Sequence, residues 1–371
     1  MTATHKPTIV VVGCGFAGYS LVRELRRRHG RAHHIVAFDK QPGLYNYPAL
    51  PRLLYEELAA TDIEIPYQRL FAGLDVDFHQ ARITAIDTAA QLACTDSSTF
   101  AFDYLVVATG SRARPLPQDD GVFVYYPKAM RHLDRLRTYL QTPPAKQQRN
   151  LAVIGGGLTG IEFALAMRDA IDPASGRGAA PATRIHLFEQ GERLVPRQRH
   201  ALGRALHLEL ESAGVEVHLL SEVSRAMRNG LLVRGEALAM DCTVCCIGVQ
   251  PHLRQGIDGL ETGNDGLVVD DALRLGGTGR LFAVGDVMTM RGRKSVSVEL
   301  HMAQRAMEQG RHTARNIGRL LLGGEAQDYA PTERPVSVLS HAGRGVLAYR
   351  DFCIRGRLAG RLKRWLDLKH V

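Results

Sequence analysis

Two copies of one motif constrain this chain more than any other feature of its sequence. The segments TIVVVGCGFAGYSLVREL (Thr8–Leu25) and LAVIGGGLTGIEFA (Leu151–Ala164) each join an apolar run to a Gly-x-Gly-x-x-Gly turn and a helix-forming run. In this motif one glycine allows a tight turn, one lets a pyrophosphate approach the backbone, and one lets helix and strand pack closely. The helix start offers N–H groups and partial positive charge to phosphates. The six glycines are Gly13, Gly15, Gly18, Gly155, Gly157 and Gly160.

An acidic residue ends the apolar run that follows each motif. Asp39 closes HIVAFDK and Glu189 closes RIHLFEQ. At this position a carboxylate accepts ribose hydroxyls. At Glu189 it would also repel a 2′-phosphate, which predicts NADH rather than NADPH. The longer spacing in the second copy is assigned to a surface loop, DPASGRGAAPAT, at residues 172–183. The alternative is that both acids only begin polar loops.

Length and composition agree with two nucleotide sites. A chain of 371 residues predicts two or three domains, and 45% hydrophobic with 23% charged residues is typical of globular proteins. No apolar run reaches the roughly 18 residues that span a bilayer. The sequence passes from its start directly into the first strand, so no signal peptide is expected. The six scattered cysteines favour a cytoplasmic setting over a disulfide framework.

The segment CTVCC contains a C-x-x-C pair, Cys242 and Cys245, which suggests either redox or metal chemistry. The surrounding residues predict a buried strand, however, and residues three apart in a strand point to opposite faces. We therefore interpret both as small buried side chains. The dithiol arrangement of disulfide reductases is absent, since no cysteine pair follows the first motif's helix.

Three further strands end at polar turns. FDYLVVATGS, DCTVCCIGVQP and RLFAVGDV lead to Gly110, Gly248 and the pair Gly285-Asp286. An acid after a strand end, followed by a helix, can hold a ribityl hydroxyl. Without the other motifs, a plain strand–turn would be the favoured interpretation of the Gly285-Asp286 segment.

In their order, these motifs resemble the two-dinucleotide-binding-domain flavoproteins of the pyridine nucleotide-disulfide oxidoreductase superfamily. The resemblance runs from Thr8 to about Gly310 and implies FAD and NADH as cofactors, with no metal. The implied cofactor-binding residues are Gly13, Gly15, Phe16, Ala17, Gly18, Asp39, Lys40, Arg52, Ala108, Thr109, Gly110, Gly155, Gly157, Leu158, Thr159, Gly160, Glu189, Gly248, Gly285, Asp286, Met302 and Ala303.

The implied fold is α/β, with two Rossmann-like dinucleotide-binding domains, the NAD domain being inserted in the FAD domain. The predicted FAD domain comprises residues 1–114 and 250–316, and the predicted NADH domain comprises residues 115–249. Residues 317–371 form a small C-terminal segment, in which VSVLSHAGRGVLAY predicts two short strands around a turn.

Within the superfamily the chain looks most like type II NADH dehydrogenases, which pass a hydride from NADH to FAD and two electrons to a quinone. The similar stretches are YPALPRLLYEEL, GGGLTGIEFA and MAQRAMEQG. Leu158 replaces the family's usual proline, and Glu308 replaces the first of its paired glutamines. Catalytic roles are expected for Glu162, in the first turn of the second motif's helix, at the nicotinamide, and for Gln304 and Glu308 at the quinone. The alternatives are a carboxylate serving the helix dipole at Glu162 and a solvated surface charge at Glu308.

The C-terminal stretch RGRLAGRLKRWLDLKHV has leucines and a tryptophan at helical spacing beside basic residues. A basic amphipathic helix, in a chain with a net charge of +9, predicts peripheral binding to the cytoplasmic face of an anionic membrane. Packing against the chain itself or in a homodimer is the alternative, and nucleic acid is not expected. The apolar positions are Leu358, Leu362, Trp365 and Leu366.

Two other functions remain open from the sequence. One is a soluble NADH-dependent flavin reductase that acts on a protein or a small metabolite. The other is an FAD- and NADH-binding module similar to apoptosis-inducing factor, with little turnover.

Overall fold

The chain divides into two compact units, each assembled from three stretches. Unit 1 comprises Met1–Tyr45, Glu64–Arg112 and Val249–Glu333, and unit 2 comprises Asn46–Ile63, Ala113–Gly248 and Arg334–Val371. The computed structural model describes residues 6–56, 58–143, 148–171, 183–196, 198–252, 262–263, 266–277, 279–290, 302–331, 337–341, 344–349 and 352–362.

Unit 1 is built on a five-stranded parallel sheet with the order β21-β9-β1-β2-β5. The first strand, TIVVV, is apolar and buried after Thr8, as expected of a parallel strand that is covered on both faces. The strands are β1 (Thr8–Val12), β2 (His34–Asp39), β5 (Asp77–Gln80), β9 (Tyr104–Val107) and β21 (Leu281–Ala283).

Two long helices pack against each other in unit 1. Helix α1 (Phe16–His29) and helix α6 (Ala303–Leu321) approach closely at Gly310, where a Cβ atom would overlap the carbonyl oxygen of Ala17. Buried Glu24 of α1 accepts hydrogen bonds from Arg27 and Arg28 and from Arg315 of α6. These hydrogen bonds, that from Arg27 first, lower the pKa of Glu24 to about 2, so the carboxylate is ionised at neutral pH.

Short elements complete unit 1. The remaining ones are β3 (Gly43–Tyr45), β4 (Glu64–Pro66), α2 (Tyr67–Leu70), β6 (Ala85–Asp87), β7 (Leu92–Cys94), β8 (Thr99–Ala101), β10 (Ser111–Ala113), β18 (Val249–Pro251), β19 (Thr262–Gly263), β20 (Gly266–Val269), the 3-10 turn Gly285–Val287 and β22 (Met288–Met290).

Unit 2 repeats the plan with a four-stranded parallel sheet in the order β13-β12-β11-β17. Its strands are β11 (Arg149–Ile154), β12 (Thr183–Phe188), β13 (Val215–His218) and β17 (Cys242–Cys245). Its helices are α3 (Met130–Gln141), α4 (Leu158–Ile171) and α5 (His200–Ser212), with 3-10 helices at Tyr47–Leu54 and Ala60–Asp62. An antiparallel sheet follows α5, formed by β14 (Val223–Met227), β15 (Gly230–Val233) and β16 (Glu236–Ala239).

The C-terminal residues belong to unit 2. The two predicted strands are present as β23 (Ser337–His341) and β24 (Arg344–Tyr349), and a third, β25 (Phe352–Arg355), pairs with β24. Glu209 of α5, which is 1% exposed, accepts hydrogen bonds from Arg355 and forms an ion pair with Arg344. This buried carboxylate holds the C-terminal sheet on α5.

The predicted α/β fold with two Rossmann-like units is confirmed, but the units differ from the predicted boundaries. Residues 46–63 group with unit 2, and residues 317–371 do not form a separate segment. The predicted boundary at residue 316 falls inside α6, which continues to Leu321 because Ala314 and Ile317 are buried in the unit 1 core. The predicted loop at residues 172–183 lies outside the described residues except for Thr183, which begins β12.

Candidate functional site: two dinucleotide-binding turns

The predicted residues of unit 1 lie where strands of its sheet end. Gly13 directly follows β1, and Asp39 is the last residue of β2. Ala108 directly follows β9, and Gly285 lies just beyond the end of β21 at Ala283. Parallel strands present their carboxyl ends at one edge, which is where ligands bind in open α/β sheets. The structure therefore brings the scattered FAD-site predictions of unit 1 to a common edge.

The three glycines of the first turn have the three expected environments. Gly13 has a φ of +96°, and a Cβ there would lie 2.5 Å from the carbonyl oxygen of Ala108. A Cβ on Gly18 would overlap the carbonyl oxygen of Gly13. By contrast, a Cβ on Gly15 would meet no atom within 4 Å. The backbone at Gly15 thus faces open space at the start of α1, as a pyrophosphate site requires.

The second turn reproduces these environments in unit 2. Gly155 has a φ of +106° and would clash with the carbonyl of Cys246, and Gly160 would clash with the carbonyl of Gly155. A Cβ on Gly157 meets nothing within 4 Å. The backbone hydrogen bonds match as well, since Gly13 N–H donates to Phe38 and Gly155 N–H donates to Phe188, over 2.7 and 2.8 Å.

The helix starts are suited to anions. Gly15 is the N-cap of α1, with no side-chain cap and no acid in the first turn, whereas the last turn carries Arg26, Arg27, Arg28 and His29. This distribution complements the helix dipole and leaves the first N–H groups for a ligand. Helix α4, which contains Leu158 and Thr159, also has no acid in its first turn.

Asp39 is held in place by the turn that it faces. Its Oδ2 atom accepts the N–H of Cys14 over 2.8 Å and the hydroxyl of Tyr67 over 3.2 Å, and Oδ1 accepts the N–H of Gln41 over 2.9 Å. A carboxylate has about four lone-pair positions, so acceptor capacity remains for ribose hydroxyls.

A cavity of about 110 Å³ opens beside Asp39 within unit 1. Lys40, one of the predicted residues, lines it, and its Nζ lies 3.2 Å from His252 Nε2. The lining residues that the sequence did not indicate are Ala81, Arg82, Ile83, Thr84, Ala85, Ile86 and His252. Residues 81–86 extend from the end of β5 into β6 and His252 follows β18, and no sequence motif marks either segment. The cavity is mostly apolar and lies next to Asp39, which would suit an adenine ring.

Glu189 has the corresponding position in unit 2. It is 7% exposed, and its two oxygens accept the N–H groups of Gly156 and Gly191, both over 2.7 Å. The contact to Gly156 corresponds to that between Asp39 and Cys14. Both carboxylates therefore accept a hydrogen bond from the backbone of a glycine turn. An acid that only began a polar loop would not need such a contact.

The turn at Gly285-Asp286 is fixed by two side chains. Ser111 Oγ donates to Asp286 Oδ2 over 2.5 Å, and Gln309 Oε1 accepts the N–H of Gly285 over 2.7 Å. Gln309 is fully buried, and its Nε2 has no partner in the described part of the chain. An unpaired buried donor is costly, so this amide is available to a group bound at the turn. Gln309 is not one of the site residues predicted from the sequence.

Helix α6 begins at two of the predicted cofactor-binding residues. Met302 is its N-cap and Ala303 its first residue, with no side-chain cap and no acid in the first turn. One turn on, Glu308 Oε1 accepts from Gln304 over 3.2 Å, and Oε2 accepts from Arg305 over 3.1 Å and from Tyr329 over 3.4 Å. Burial and the neighbouring Glu308 raise the pKa of Tyr329 to about 12. Glu308 is thus part of a polar cluster, with 17% of its side chain exposed, rather than a solvated charge.

Several predicted residues have other surroundings. Arg52 lies in unit 2, where it donates to Glu56 over 2.7 and 3.0 Å. Glu162 is half-buried and lies in the second turn of α4, not in the first, because that helix begins at Leu158.

The predicted turn residues make backbone and side-chain contacts near the ends of the segments that form their units. Gly248, with a φ of +103°, accepts the N–H of Arg114 through its carbonyl oxygen. Thr109 Oγ1 donates to the carbonyl of His252, and Gly110 has a φ of +69°.

The cysteines agree with a structural role. Cys242 and Cys245 are buried in β17, and they belong to hydrophobic clusters on different sides of the sheet. Burial raises the pKa of Cys242 to about 12 and that of Cys245 to about 11, so both are protonated at neutral pH. All six cysteines lie in the described part of the chain and are free thiols.

The C-terminal helix is described only in part. Residues 357–362 are helical, and Trp365 and Leu366 lie outside the described residues. Leu358 is 70% exposed and Leu362 is 41% exposed, on one helix face, whereas Ala359 is buried. Among the helices that the structure describes, none has the length and apolar character needed to cross a membrane.

Comparisons with known proteins agree with this geometry. The type II NADH:quinone oxidoreductase of Staphylococcus epidermidis is 27% identical over all of this chain and 96% of its own length. The sulfide:quinone oxidoreductase of Aquifex aeolicus has a TM-score of 0.84 at 16% identity, with 98% of this chain and 90% of that chain covered. The ferredoxin reductase for the CYP199A2 system of Rhodopseudomonas palustris has a TM-score of 0.73 at 21% identity, with 92% and 81% covered.

The sequence profile for pyridine nucleotide-disulphide oxidoreductases matches residues 7–310, a range that contains both glycine turns. It confirms the resemblance drawn from the motifs, together with FAD and NADH as the cofactors and an FAD-dependent NAD(P)H oxidoreductase as the class of enzyme. On this match, the chain belongs to the pyridine nucleotide-disulphide oxidoreductase family.

Proposed function

We propose that this protein is an NADH:quinone oxidoreductase that works at an anionic membrane surface. The observation that carries the proposal is the end-to-end similarity to relatives with that name, at 25–27% identity over the whole chain. The fold alone supports several electron acceptors, because the ferredoxin reductase and the sulfide:quinone oxidoreductase share it.

Unit 1 would hold FAD. The open backbone at Gly15 and the first N–H groups of α1 would bind the pyrophosphate, and Asp39 would accept the ribose hydroxyls. Asp286 and the Nε2 of Gln309 would hold the cofactor at the second turn. When bound, FAD supplies hydride acceptance from NADH and release of two electrons to the acceptor.

Unit 2 would hold NADH in the same manner. Gly157 would leave room for the pyrophosphate at the start of α4, and Glu189 would accept the hydroxyls of the adenosine ribose. The two backbone contacts of Glu189 keep its carboxylate aimed at the turn, so a 2′-phosphate would meet a fixed negative charge. We assign to Glu162, half-buried in α4, a position near the nicotinamide.

The acceptor end of the reaction needs protons as well as electrons, because a quinone becomes a quinol by taking up two of each. Glu308 has the chemistry to relay a proton, since its carboxylate is hydrogen-bonded to Gln304 and to Tyr329. The N-terminus of α6, free of acids, would stabilise negative charge on a bound group.

Membrane association is proposed from the C-terminal helix. Leu358 and Leu362 are exposed together, and Arg357 and Arg361 are exposed beside them. Apolar side chains entering the interface contribute up to roughly 1.5–3 kcal/mol each on full burial, and each basic residue near anionic lipid adds about 1 kcal/mol. These contributions suffice for reversible attachment.

The function is tested with a panel of acceptors. Purified protein and NADH are assayed with a long-tailed quinone in anionic liposomes, with ferricyanide, with oxygen and with a ferredoxin. We expect the quinone to give the highest turnover. A chain ending at Gly356 should lose liposome binding and quinone turnover. It should keep ferricyanide turnover, because both glycine turns lie before residue 356.

Other outcomes of the panel are equally informative. Preference for ferredoxin or for a water-soluble acceptor would favour the soluble reductase, and turnover near zero with every acceptor would favour the binding module. Neutral liposomes provide the control for the electrostatic part of binding. A truncated chain that unfolds or loses a dimer contact would assign the helix a structural role.

The two glycine turns can be separated by a matched pair of variants. Gly15→Val should fold, because its Cβ meets no protein atom, but it should lose most of its FAD since the side chain occupies the pyrophosphate space. Overpacking of about 1–3 kcal/mol corresponds to roughly ten- to hundredfold weaker binding. Gly157→Val should keep its FAD and lose affinity for NADH. FAD is measured by absorbance after desalting, and full FAD content in Gly15→Val would contradict the assignment.

Glu189 should set the choice of coenzyme. Loss of a charge-assisted hydrogen bond costs about 1.5–3 kcal/mol, so Glu189→Ala should lower kcat/KM for NADH by roughly ten- to hundredfold and narrow the gap to NADPH. Glu189→Gln, which keeps an acceptor for a backbone N–H, separates charge from turn geometry. Glu192→Gln, an exposed acid three residues away, is the control. Equal use of NADH and NADPH by the unchanged protein would argue against this role.

Glu308 should matter for quinone but not for ferricyanide. General acid–base groups contribute about a hundredfold or more, so Glu308→Gln should lower quinone turnover by at least roughly tenfold, with the largest loss at high pH where protons are scarce. Ferricyanide takes up no proton and should react at an unchanged rate. Glu325→Gln, an exposed acid beyond α6, is the matched control. An equal loss with both acceptors would mean that Glu308 only supports the flavin site.

A further inference from the structure

Three metal-binding side chains meet in unit 2, away from the residues assigned to its glycine turn. His186 lies on β12, and Glu216 and His218 lie on β13, the edge strand of the sheet. The parallel register places His186 opposite Glu216. Glu216 and His218 are two residues apart, so all three side chains share one face. No metal-binding motif marks these residues in the sequence, because His186 lies on a different strand from Glu216 and His218.

The ligand atoms are close to the spacing that a metal ion needs. His186 Nδ1 lies 3.1 Å from His218 Nε2 and 3.3 Å from Glu216 Oε2, and the three atoms all lie within 4.8 Å of one another. In a tetrahedral zinc site with bonds of about 2.0–2.1 Å, ligand atoms are about 3.3–3.4 Å apart. Two of the three separations therefore fit already, and rotation of the half-exposed Glu216 side chain can close the third.

The imidazole rings are held in position before any ion binds. His218 stacks on Phe188 with ring centres 4.7 Å apart, and the rings of His186 and His218 are 5.4 Å apart at 28°. His186 is buried, whereas Glu216 is exposed at the sheet edge, so an ion would have a path from solvent to a rigid histidine. Preorganised ligands of this kind reduce the ordering that binding requires.

We propose that His186, Glu216 and His218 bind a Zn²⁺ ion, with water in the fourth position. Two imidazoles and one carboxylate form a zinc donor set that leaves an open coordination position. Imidazole also suits other first-row ions, but a d¹⁰ ion accepts tetrahedral geometry without electronic cost. The ion would connect β13 to β12 at His186, which lies three residues before Glu189. The N–H of Glu189 donates to the carbonyl of His218 over 2.9 Å. Zinc would thus stabilise the strand edge that carries the ribose acid.

Zinc binding is measured on the FAD-loaded full chain after treatment with a chelator. ZnCl₂ is titrated by calorimetry into the unchanged protein and into Glu216→Gln, His218→Gln and His207→Gln. His207 faces Glu211 on α5 at 3.4 Å, a pair with only two ligands, and serves as the matched control. We expect His218→Gln to bind about one Zn²⁺ fewer than the unchanged protein. Glu216→Gln should bind Zn²⁺ about tenfold or more weakly, because losing a metal ligand should reduce affinity at least as much as losing a residue that is hydrogen-bonded to a ligand. His207→Gln should bind like the unchanged protein.

Thermal unfolding provides the second measurement. Zinc should raise the Tm of the unchanged protein and of His207→Gln, because an ion that binds only the folded state stabilises it. The increase in Tm should be absent in His218→Gln and smaller in Glu216→Gln. Because Glu216 is exposed, its substitution should not disturb folding, so a smaller increase would report the loss of a zinc ligand. No zinc uptake by the unchanged protein, or equal uptake and equal affinity in all four proteins, would show that these three side chains form only a hydrogen-bonded cluster and would overturn the proposal.

Discussion

The close approach of a helix to a glycine turn is the contact on which each unit depends. At Gly18 and at Gly160, a side chain would overlap the carbonyl oxygen of the first glycine in the same turn. Only a hydrogen atom fits there, and for this reason the helix can begin directly behind the strand. Its N-terminal N–H groups are then brought to the carboxyl edge of the sheet, where the ends of β1, β2 and β9 carry the other polar groups. Packing and anion binding thus have the same cause.

The repetition of this geometry explains how one chain can handle two dinucleotides. In both units the first glycine faces the backbone that follows a neighbouring strand, namely Ala108 in unit 1 and Cys246 in unit 2. In both, an acid at the end of the second strand accepts the N–H that follows that glycine. The differences lie outside the repeat. Unit 1 adds a cavity beside Asp39 and the Gln309 contact to Gly285, whereas unit 2 adds the cluster of His186, Glu216 and His218. The repeat provides the nucleotide-binding geometry that the two units share, and these additional groups distinguish one unit from the other.

The sequence was sufficient for the parts of the site that local backbone geometry dictates. Glycine at fixed spacing, an acid at a strand end and a helix start after a polar turn are local demands, and Gly15, Asp39 and Met302 were all placed correctly along the chain. Ile83, His252 and Gln309 were missed because their role depends on which strands become neighbours, and no local pattern records that. The boundary at residue 316 was misplaced for a similar reason. The end of α6 is set by burial of its apolar face in the unit 1 core, not by a break in the sequence.

The departure at Glu308 shows how a single substitution alters the electrostatics of α6. Arg305, which is 1% exposed, forms an ion pair with Glu308 over 3.1 Å, and a neutral glutamine at position 308 would remove that ion pair. The ion pair therefore places a compensating negative charge beside a guanidinium that is almost completely buried. Burial and the charge on Glu308 raise the pKa of Tyr329 to about 12, so its hydroxyl is protonated at neutral pH and donates to the carboxylate. The cluster around Glu308 thus combines a buried positive charge and a protonated hydroxyl, each within hydrogen-bonding distance of the carboxylate.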